Sequence, residues 1–344
     1  MREVDLSKYQ VRTDLVADLI KEDYEFETKK QYKNITISNI TLTKEMEEEL
    51  ERKEGLYTTI SYNDITDKTN YKNLLDVLTQ ELKKVIEETG IKDDYSCMII
   101  GLGNEKSTAD ELGVTTAKKV TVTKHIYDLV GTLEEHFRVT TCLTPGVMGQ
   151  TGIETVEIIS SVVKQVKPDF IIAIDALASD SIDRLLKTIQ ITNTGINPGS
   201  GIGNNRKEIS NETLGIPVIA IGVPTVVEAS TIVNDTLNFM KKHFSYTIKN
   251  KNNRQNKLIE TSKINYLKDN NYTLSKEETS YFLGALGSLS NKEKKLLIND
   301  VLTPIGYNLI VTPKEIDFIV TKLTDLLGEA INKSIHNIST KKES

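Results

Sequence analysis

Two aspartates carry the strongest chemical signal in this sequence, because each follows an apolar run typical of a buried strand. Asp175 directly follows the run 170–174, and Asp110 lies in the turn region after the run 96–100. The carboxyl ends of parallel strands meet at one edge of a sheet, so the two carboxylates can face each other there. A helix cap at Asp175 is the alternative that this stretch leaves open.

A close pair of carboxylates has a distinct chemistry. Two neighbouring carboxylates do not both ionise readily, so one of them holds a proton near neutral pH. Such a pair can act as base and acid toward a water molecule that attacks an amide bond. Aspartates at strand ends are found in many α/β proteins, so on these residues alone the amide-hydrolysing site is a hypothesis.

Glycine-rich loops accompany both aspartates. Because glycine lets a peptide backbone approach closely, these loops are predicted to shape a substrate site. The predicted site-shaping residues are Gly101, Gly103, Asn104, Gly199, Gly201 and Gly203. Lys106 stands where a dinucleotide fingerprint needs its third glycine, and the 199–203 loop lacks the Gly-Lys-Ser/Thr of a phosphate loop. An anion site near Arg206 and Lys207 is left open.

The elements that position these residues follow an α/β order. The apolar run 170–174, bounded by Pro168, predicts a strand covered on both faces, as in a parallel sheet. Strand, glycine loop and helix recur three times, and the last helix is predicted to open at the capping box Thr225-x-x-Glu228. The predicted fold class is therefore α/β: a central, mostly parallel sheet flanked by helices, with a helical C-terminal portion.

Composition narrows the class of protein further. The chain has 344 residues and a net charge of −6, which argues against a general nucleic-acid binder. Cys97 and Cys142 are the only cysteines and form no disulfide or zinc pattern, which fits a reducing cytosol. The sequence has no signal-peptide core and no run of roughly 20 apolar residues. We expect a cytoplasmic protein with no membrane or direct nucleic-acid partner and, from four scattered histidines, no metal or cofactor.

Several segments of the sequence, taken together, resemble a particular protein family and not only a fold class. They are Gly101-Leu102-Gly103-Asn104, Asp110-x-Leu112-Gly113, residues 144–152, Asp175-Ala176-Leu177-Ala178, residues 188–204 and residues 212–227. This set resembles the germination protease (spore protease) family of spore-forming bacteria. The likeness is dense over residues 1–243 and looser in the C-terminal third.

The resemblance implies an endopeptidase that hydrolyses small acid-soluble spore proteins in the spore core during germination. The family is an atypical aspartic type, and its two essential aspartates fall on Asp110 and Asp175. It is made as a zymogen that removes its own N-terminal segment, which places the expected cleavage between Asp14 and Leu15. The resemblance also implies a homotetramer and a fold similar to that of hydrogenase-maturation proteases.

These expectations define a domain plan. Residues 1–14 are the expected propeptide, 15–244 the α/β catalytic core, 245–278 a polar insertion or linker, and 279–344 a helical portion packed on the core. One departure from the family pattern is Asp180, near which the family usually carries a basic residue.

Two other functions fit the same residues. The first is a metallopeptidase of the hydrogenase-maturation type, in which Asp110 and Asp175 bind a divalent metal. The second is an α/β binding module that docks small basic or DNA-bound proteins in an acidic cleft without cleaving them. Sensitivity to chelators distinguishes the first, and binding without cleavage at any pH distinguishes the second.

Overall fold

The computed structural model describes residues 13–19, 27–50, 52–198, 207–250, 274–302 and 309–336. The strands in these residues are β1 (Glu27–Tyr32), β2 (Ile35–Leu42), β3 (Gly55–Ser61), β4 (Cys97–Gly101), β5 (Thr140–Leu143), β6 (Phe170–Ser179), β7 (Thr188–Thr192), β8 (Val218–Glu228) and β9 (Ile310–Val311). The α-helices are α1 (Val16–Leu19), α2 (Lys44–Leu50), α3 (Lys68–Glu88), α4 (Leu112–Ala117), α5 (Lys124–Val130), α6 (Met148–Thr151), α7 (Thr155–Val166), α8 (Asn211–Leu214), α9 (Ala229–Asn250), α10 (Lys276–Leu283), α11 (Ala285–Ser288), α12 (Asn291–Leu302) and α13 (Ile316–Ile335).

The described residues divide into two compact units. The larger unit takes its residues from Arg12–Ser179, Asp183–Val226 and Thr312–Ser344. The smaller unit takes its residues from Asp180–Ile182 and Val227–Val311. Both Asp110 and Asp175 belong to the larger unit.

The larger unit is built on a sheet with the strand order β1-β2-β3-β7-β8-β6-β4-β5. β4 pairs in parallel with β5 and with β6. β1, β2, β3, β7 and β8 pair antiparallel, each with the next. The start of β6 is joined to the start of β8, since the Ile171 N–H donates to the Pro217 carbonyl oxygen at 2.9 Å.

Apolar residues on β4, β6 and β8 form a core against α7. In a strand, alternate side chains point to the same face, so Ile171 and Ala173 of β6 face one way. They pack with Ile159 and Val163 of α7, all fully or almost fully buried. α13 packs against α3 and α4, and α4 contacts β4 and β6.

The predicted α/β fold, with a central sheet flanked by helices, is confirmed. Parallel pairing holds around β4, where the predicted aspartates lie, and the antiparallel half of the sheet was missed by the sequence analysis. The predicted start of a helix at the capping box was wrong: β8 runs through Thr225 to Glu228, and α9 begins at Ala229. Thr225 does not cap a helix, because its hydroxyl donates to the carbonyl oxygen of Ala109 at 2.6 Å.

The smaller unit is mainly helical in the residues described. α9 carries Phe244, which stacks on Phe282 of α10 with ring centroids 4.8 Å apart. The end of β8 pairs with β9 through Val227 and Val311. Of the predicted 245–278 insertion, 245–250 continue α9, whereas 251–273 lie outside the described residues. No helix in the described part of the chain is long and apolar enough to cross a bilayer.

Candidate active site

Asp175 lies inside β6, at the position where the neighbouring strand β4 stops. The last paired residues are Gly101 and Ile174, and the Leu102 N–H then donates to the Ile174 carbonyl oxygen at 2.9 Å. Asp175 is 5% exposed, and its Oδ1 accepts from the Ala176 N–H at 2.9 Å. The prediction that β6 ends at this aspartate was wrong, because the strand continues to Ser179.

Asp110 lies in the loop between β4 and α4, folded back against Gly103. The Asn104 N–H donates to the Asp110 carbonyl oxygen at 3.1 Å, and the Asp110 N–H donates to the Ser107 carbonyl oxygen at 2.8 Å. Gly103 has φ +107°, a left-handed conformation that favours glycine. A β-carbon built there would lie 3.2 Å from Oδ1 of Asp110 and would overlap its carbonyl oxygen.

Two further glycines allow the backbone of α4 to pack closely against β4 and β6. A β-carbon on Gly113 would overlap the carbonyl oxygens of Ile174 and Leu102, and one on Gly101 would overlap the carbonyl oxygen of Gly113. The backbone of α4 therefore touches the residue immediately before Asp175. Asp110 is three residues before Gly113 in the chain, and Gly113 touches Ile174, the residue before Asp175.

Of the other predicted site-shaping residues, the structure describes only Asn104. Asn104 links two loops, because its Oδ1 accepts from Gln150 Nε2 at 2.6 Å and from the Lys106 N–H at 3.0 Å. Gln150 lies in the 144–152 block. Gly199, Gly201 and Gly203 lie outside the described residues.

The predicted cleavage bond, between Asp14 and Leu15, is held on β6 beyond Asp175. The Asp14 N–H donates to the Ala178 carbonyl oxygen at 3.0 Å, and the Ala178 N–H donates to Asp14 Oδ2 at 2.9 Å. Leu15 and Val16 are fully buried. Ala178 is three residues past Asp175, about 10 Å along a strand.

Gln190 of β7 is a contact residue that the sequence analysis missed. Its Nε2 donates to the Asp14 carbonyl oxygen at 3.3 Å, and its Oε1 accepts from the Val16 N–H at 2.9 Å. The side-chain amide therefore holds both sides of the Asp14–Leu15 bond. No local pattern marks Gln190, because the contact spans 174 positions of sequence.

A small cavity of about 110 Å³ adjoins this segment. Its lining includes Asp14, Arg52, Lys53, Leu177 and Gln190. Burial lowers the pKa of Lys53, but hydrogen bonds to Glu208 and Glu212 outweigh burial and the net pKa is raised. Lys53 Nζ lies 2.6 Å from Glu208 Oε1, so this side of the cavity holds an ion pair.

Two observations concern the Asp180 side chain and the groups that could bind a metal. Asp180, the departure from the family pattern, pairs with Lys295 and accepts a hydrogen bond from the Thr231 hydroxyl at 2.9 Å. Within the described residues, no group of three or more His, Cys, Asp and Glu side chains could hold a metal ion.

The fold is α/β, and Asp110 and Asp175 stay the predicted catalytic pair, a kind of site suited to hydrolysis. The sequence profile of the family described as germination protease matches residues 9–344. The germination protease of Bacillus pumilus (strain SAFR-032) is 40% identical over 97% of this chain and 96% of its own length. That of Priestia megaterium (strain ATCC 12872 / QMB1551) is 40% identical over 98% of this chain and 96% of its own.

The chain therefore belongs to the germination protease family, and it is a protease. Among solved structures, a NiFe hydrogenase maturation protease, HycI, from Thermococcus kodakarensis KOD1 matches with a TM-score of 0.26 and 19% identity. The match covers 42% of this chain and 80% of that chain. A likeness of this size supports no argument about the mechanism.

Proposed function

We propose that this chain is a self-processing endopeptidase that hydrolyses small acid-soluble spore proteins in the spore core during germination, with Asp110 and Asp175 as its acid and base. The observation that supports this proposal is the backbone contact between α4 and β6. Gly113 fixes the helix against Ile174, so the loop bearing Asp110 is held beside the segment bearing Asp175. The family membership supports the protease activity itself.

The proposed mechanism uses the pair as one titrating unit. One carboxylate takes a proton from a water molecule as the water oxygen attacks the peptide carbonyl carbon. The other, protonated, carboxyl group gives its proton to the leaving nitrogen as the C–N bond breaks. The products are a new carboxyl group and a new amine, and the shared proton is restored to the pair. Glycine at 101 lets the backbone of α4 pack against the end of β4, and glycine at 103 lets the Asp110 carbonyl group fold back against it.

The N-terminal segment 13–16 is docked on β6 and β7. The bond between Asp14 and Leu15 is bound by Gln190 and by Ala178, about three residues along β6 from Asp175. Self-processing then requires this segment to leave its seat and bring the bond to the aspartates. We propose a homotetramer as the working form, which sedimentation velocity of the purified chain tests directly.

Intact-mass measurement of the purified chain over a series of pH values tests the proposed function. Wild type is compared with Asp110→Asn and Asp175→Asn, each with and without a chelator. We expect wild type and Asp169→Asn to lose residues 1–14, unaffected by the chelator, and Asp110→Asn and Asp175→Asn to stay whole. Asp169→Asn is the matched control, since Asp169 lies at the other end of the strand and bonds Ser96.

The other outcomes separate the competing functions. Shortening that the chelator blocks and added metal restores would favour the metallopeptidase. Wild type that stays whole at every pH and binds a small acid-soluble spore protein without cutting it would favour the binding module.

A further inference from the structure

The backbone nitrogen of Leu15 is connected to a buried carboxylate through one hydroxyl group. The Leu15 N–H donates to Thr13 Oγ at 3.2 Å, and this hydroxyl donates to Asp18 Oδ2 at 2.6 Å. The Asp18 side chain is 3% exposed. The amide nitrogen of the expected cleavage bond thus lies one hydroxyl away from a negative charge inside the protein.

Asp18 keeps its place through contacts that do not involve the first 14 residues. Arg184 Nε lies 2.6 Å from Asp18 Oδ1, and the Ser179 hydroxyl donates to Oδ2 at 3.1 Å. Arg184 also donates through Nη2 to the Ala17 carbonyl oxygen at 2.9 Å. Ser179 is the last residue of β6, so the carboxylate is fixed to the strand that carries Asp175.

Hydrolysis between Asp14 and Leu15 changes this arrangement in a defined way. Water adds across the bond, Asp14 gains a carboxylate, and the nitrogen of Leu15 becomes an ammonium group at neutral pH. Thr13 leaves with the released segment, so the hydroxyl that separated the nitrogen from Asp18 is gone. A buried ammonium group without an anionic partner is costly, and Leu15 and Val16 are held in the apolar core.

We infer that Asp18 is the receptor for the new N-terminal ammonium group of Leu15, forming an ion pair that anchors the processed N-terminus to the end of β6. The inference rests on the proposed cleavage after Asp14. It assigns Asp18, Ser179 and Arg184 a role in the processed form that is separate from the chemistry of Asp110 and Asp175. The ion pair replaces the hydroxyl bridge of the precursor, so the segment 15–19 stays docked after the cut.

The test measures the reactivity of the Leu15 amine in the folded chain. The purified chain is labelled with an amine-reactive reagent over a pH series, and the label at Leu15 is quantified by peptide mass spectrometry. Ion pairing raises the pKa of this amine above the usual value of about 7.7–8.0, and each unit leaves about tenfold less reactive free amine at neutral pH. In wild type we expect the Leu15 amine to react at least about tenfold more slowly than an unpaired amine at neutral pH. Asp18→Asn should lose this protection. Asp128→Asn, which removes a surface ion pair with Lys124, should match wild type.

Two routes to the Leu15 N-terminus keep this test separate from the proposed function. In one, the full chain processes itself. In the other, residues 9–14 are replaced by the recognition sequence of a protease that cuts immediately before Leu15, and the folded chain is cut by that protease. Protection after the second route with no shortening in the first supports the ion pair and overturns self-processing. An amine that titrates at or below its usual range in wild type, by either route, overturns the ion pair whatever Asp18→Asn does.

Discussion

Gly113 lies against the carbonyl oxygen of Ile174, with no space between them for a side chain. This contact joins the first turn of α4 to the residue before Asp175, and it fixes the loop that carries Asp110. Gly101 likewise lies against the carbonyl oxygen of Gly113, with no space for a side chain. The position of α4 against β4 and β6 therefore depends on glycines that leave no room for a side chain.

Gly113→Ala is expected to destabilise the protein by about 1–3 kcal/mol, because the added methyl group overlaps two carbonyl oxygens that cannot move without shifting β4 or β6. The same shift displaces Asp110 from Asp175, so proteolysis should fall even at temperatures where the variant is folded. Urea unfolding gives the free energy, and cleavage of a small acid-soluble spore protein gives the activity. Gly149→Ala is the control, since a β-carbon there meets no atom within 4 Å. Equal behaviour of the two variants would show that the contact does not fix the site.

Gln190→Ala is expected to make the segment around the Asp14–Leu15 bond detach more often, because it removes the hydrogen bonds to Asp14 and Val16. At about 1 kcal/mol each, two such bonds change the local opening equilibrium by roughly tenfold or more. The measurement is native-state proteolysis by an added protease that cuts before large apolar residues, with cleavage at Leu15 followed by mass spectrometry. An Asp175→Asn background prevents self-processing from contributing.

The matched control for that experiment is Gln31→Ala, which removes an exposed hydrogen bond to the Lys33 carbonyl oxygen. It should leave cleavage at Leu15 at the wild-type rate. A Gln190→Ala chain that resists the added protease as well as the control does would mean that other contacts alone hold the segment.

His336 is expected to make stability depend on pH. It is fully buried, its Nδ1 accepts from the Arg138 N–H at 3.2 Å, and its Nε2 lies 3.2 Å from the Thr121 carbonyl oxygen. Burial first, and the nearby Arg138 charge, lower its pKa below 6.5 despite the bond to Thr121. The unfolded chain therefore binds the proton first, so the stabilisation is present above pH 6.5 and is lost progressively as pH falls from 6.5 through the lower pKa of the folded chain.

Thermal unfolding between pH 7.5 and 5 measures this effect. The midpoint of wild type should fall more steeply than that of His336→Asn, which has no group to protonate. His125→Asn, at an exposed position on α5, should keep the wild-type slope. Parallel slopes for all three proteins would exclude His336 as the cause.

The sequence was informative wherever a pattern is local. The apolar run 170–174 predicted the buried strand, and the blocks around Asp110 and Asp175 predicted the family. β6 was nevertheless predicted too short, since its last residues bond Asp14, 164 positions away. Thr225 was wrongly predicted as a helix cap because its actual hydrogen-bond partner, Ala109, is 116 positions away in sequence. No local pattern predicts that contact.

The residues of the candidate site differ in how much local sequence marks them. Asp110, Gly101 and Gly103 could be singled out because they follow an apolar run and lie in a block that resembles the family. Gln190 and Asp18 have ordinary residue types in ordinary positions. Their contacts form only when the N-terminal segment docks on β6 and β7, and hydrophobic periodicity does not predict such a contact.

A double-mutant cycle on Asp110 and Asp175 tests the central claim most directly. Wild type, Asp110→Asn, Asp175→Asn and the double variant are all cut before Leu15 by the added site-specific protease, so that none depends on self-processing. Each is then assayed for kcat/KM on a small acid-soluble spore protein. If the pair acts as one acid–base unit, each single variant loses about 10²–10⁴-fold and the double variant loses little more. A single variant that keeps wild-type activity, or losses that multiply in the double variant, would contradict a shared role for the two aspartates.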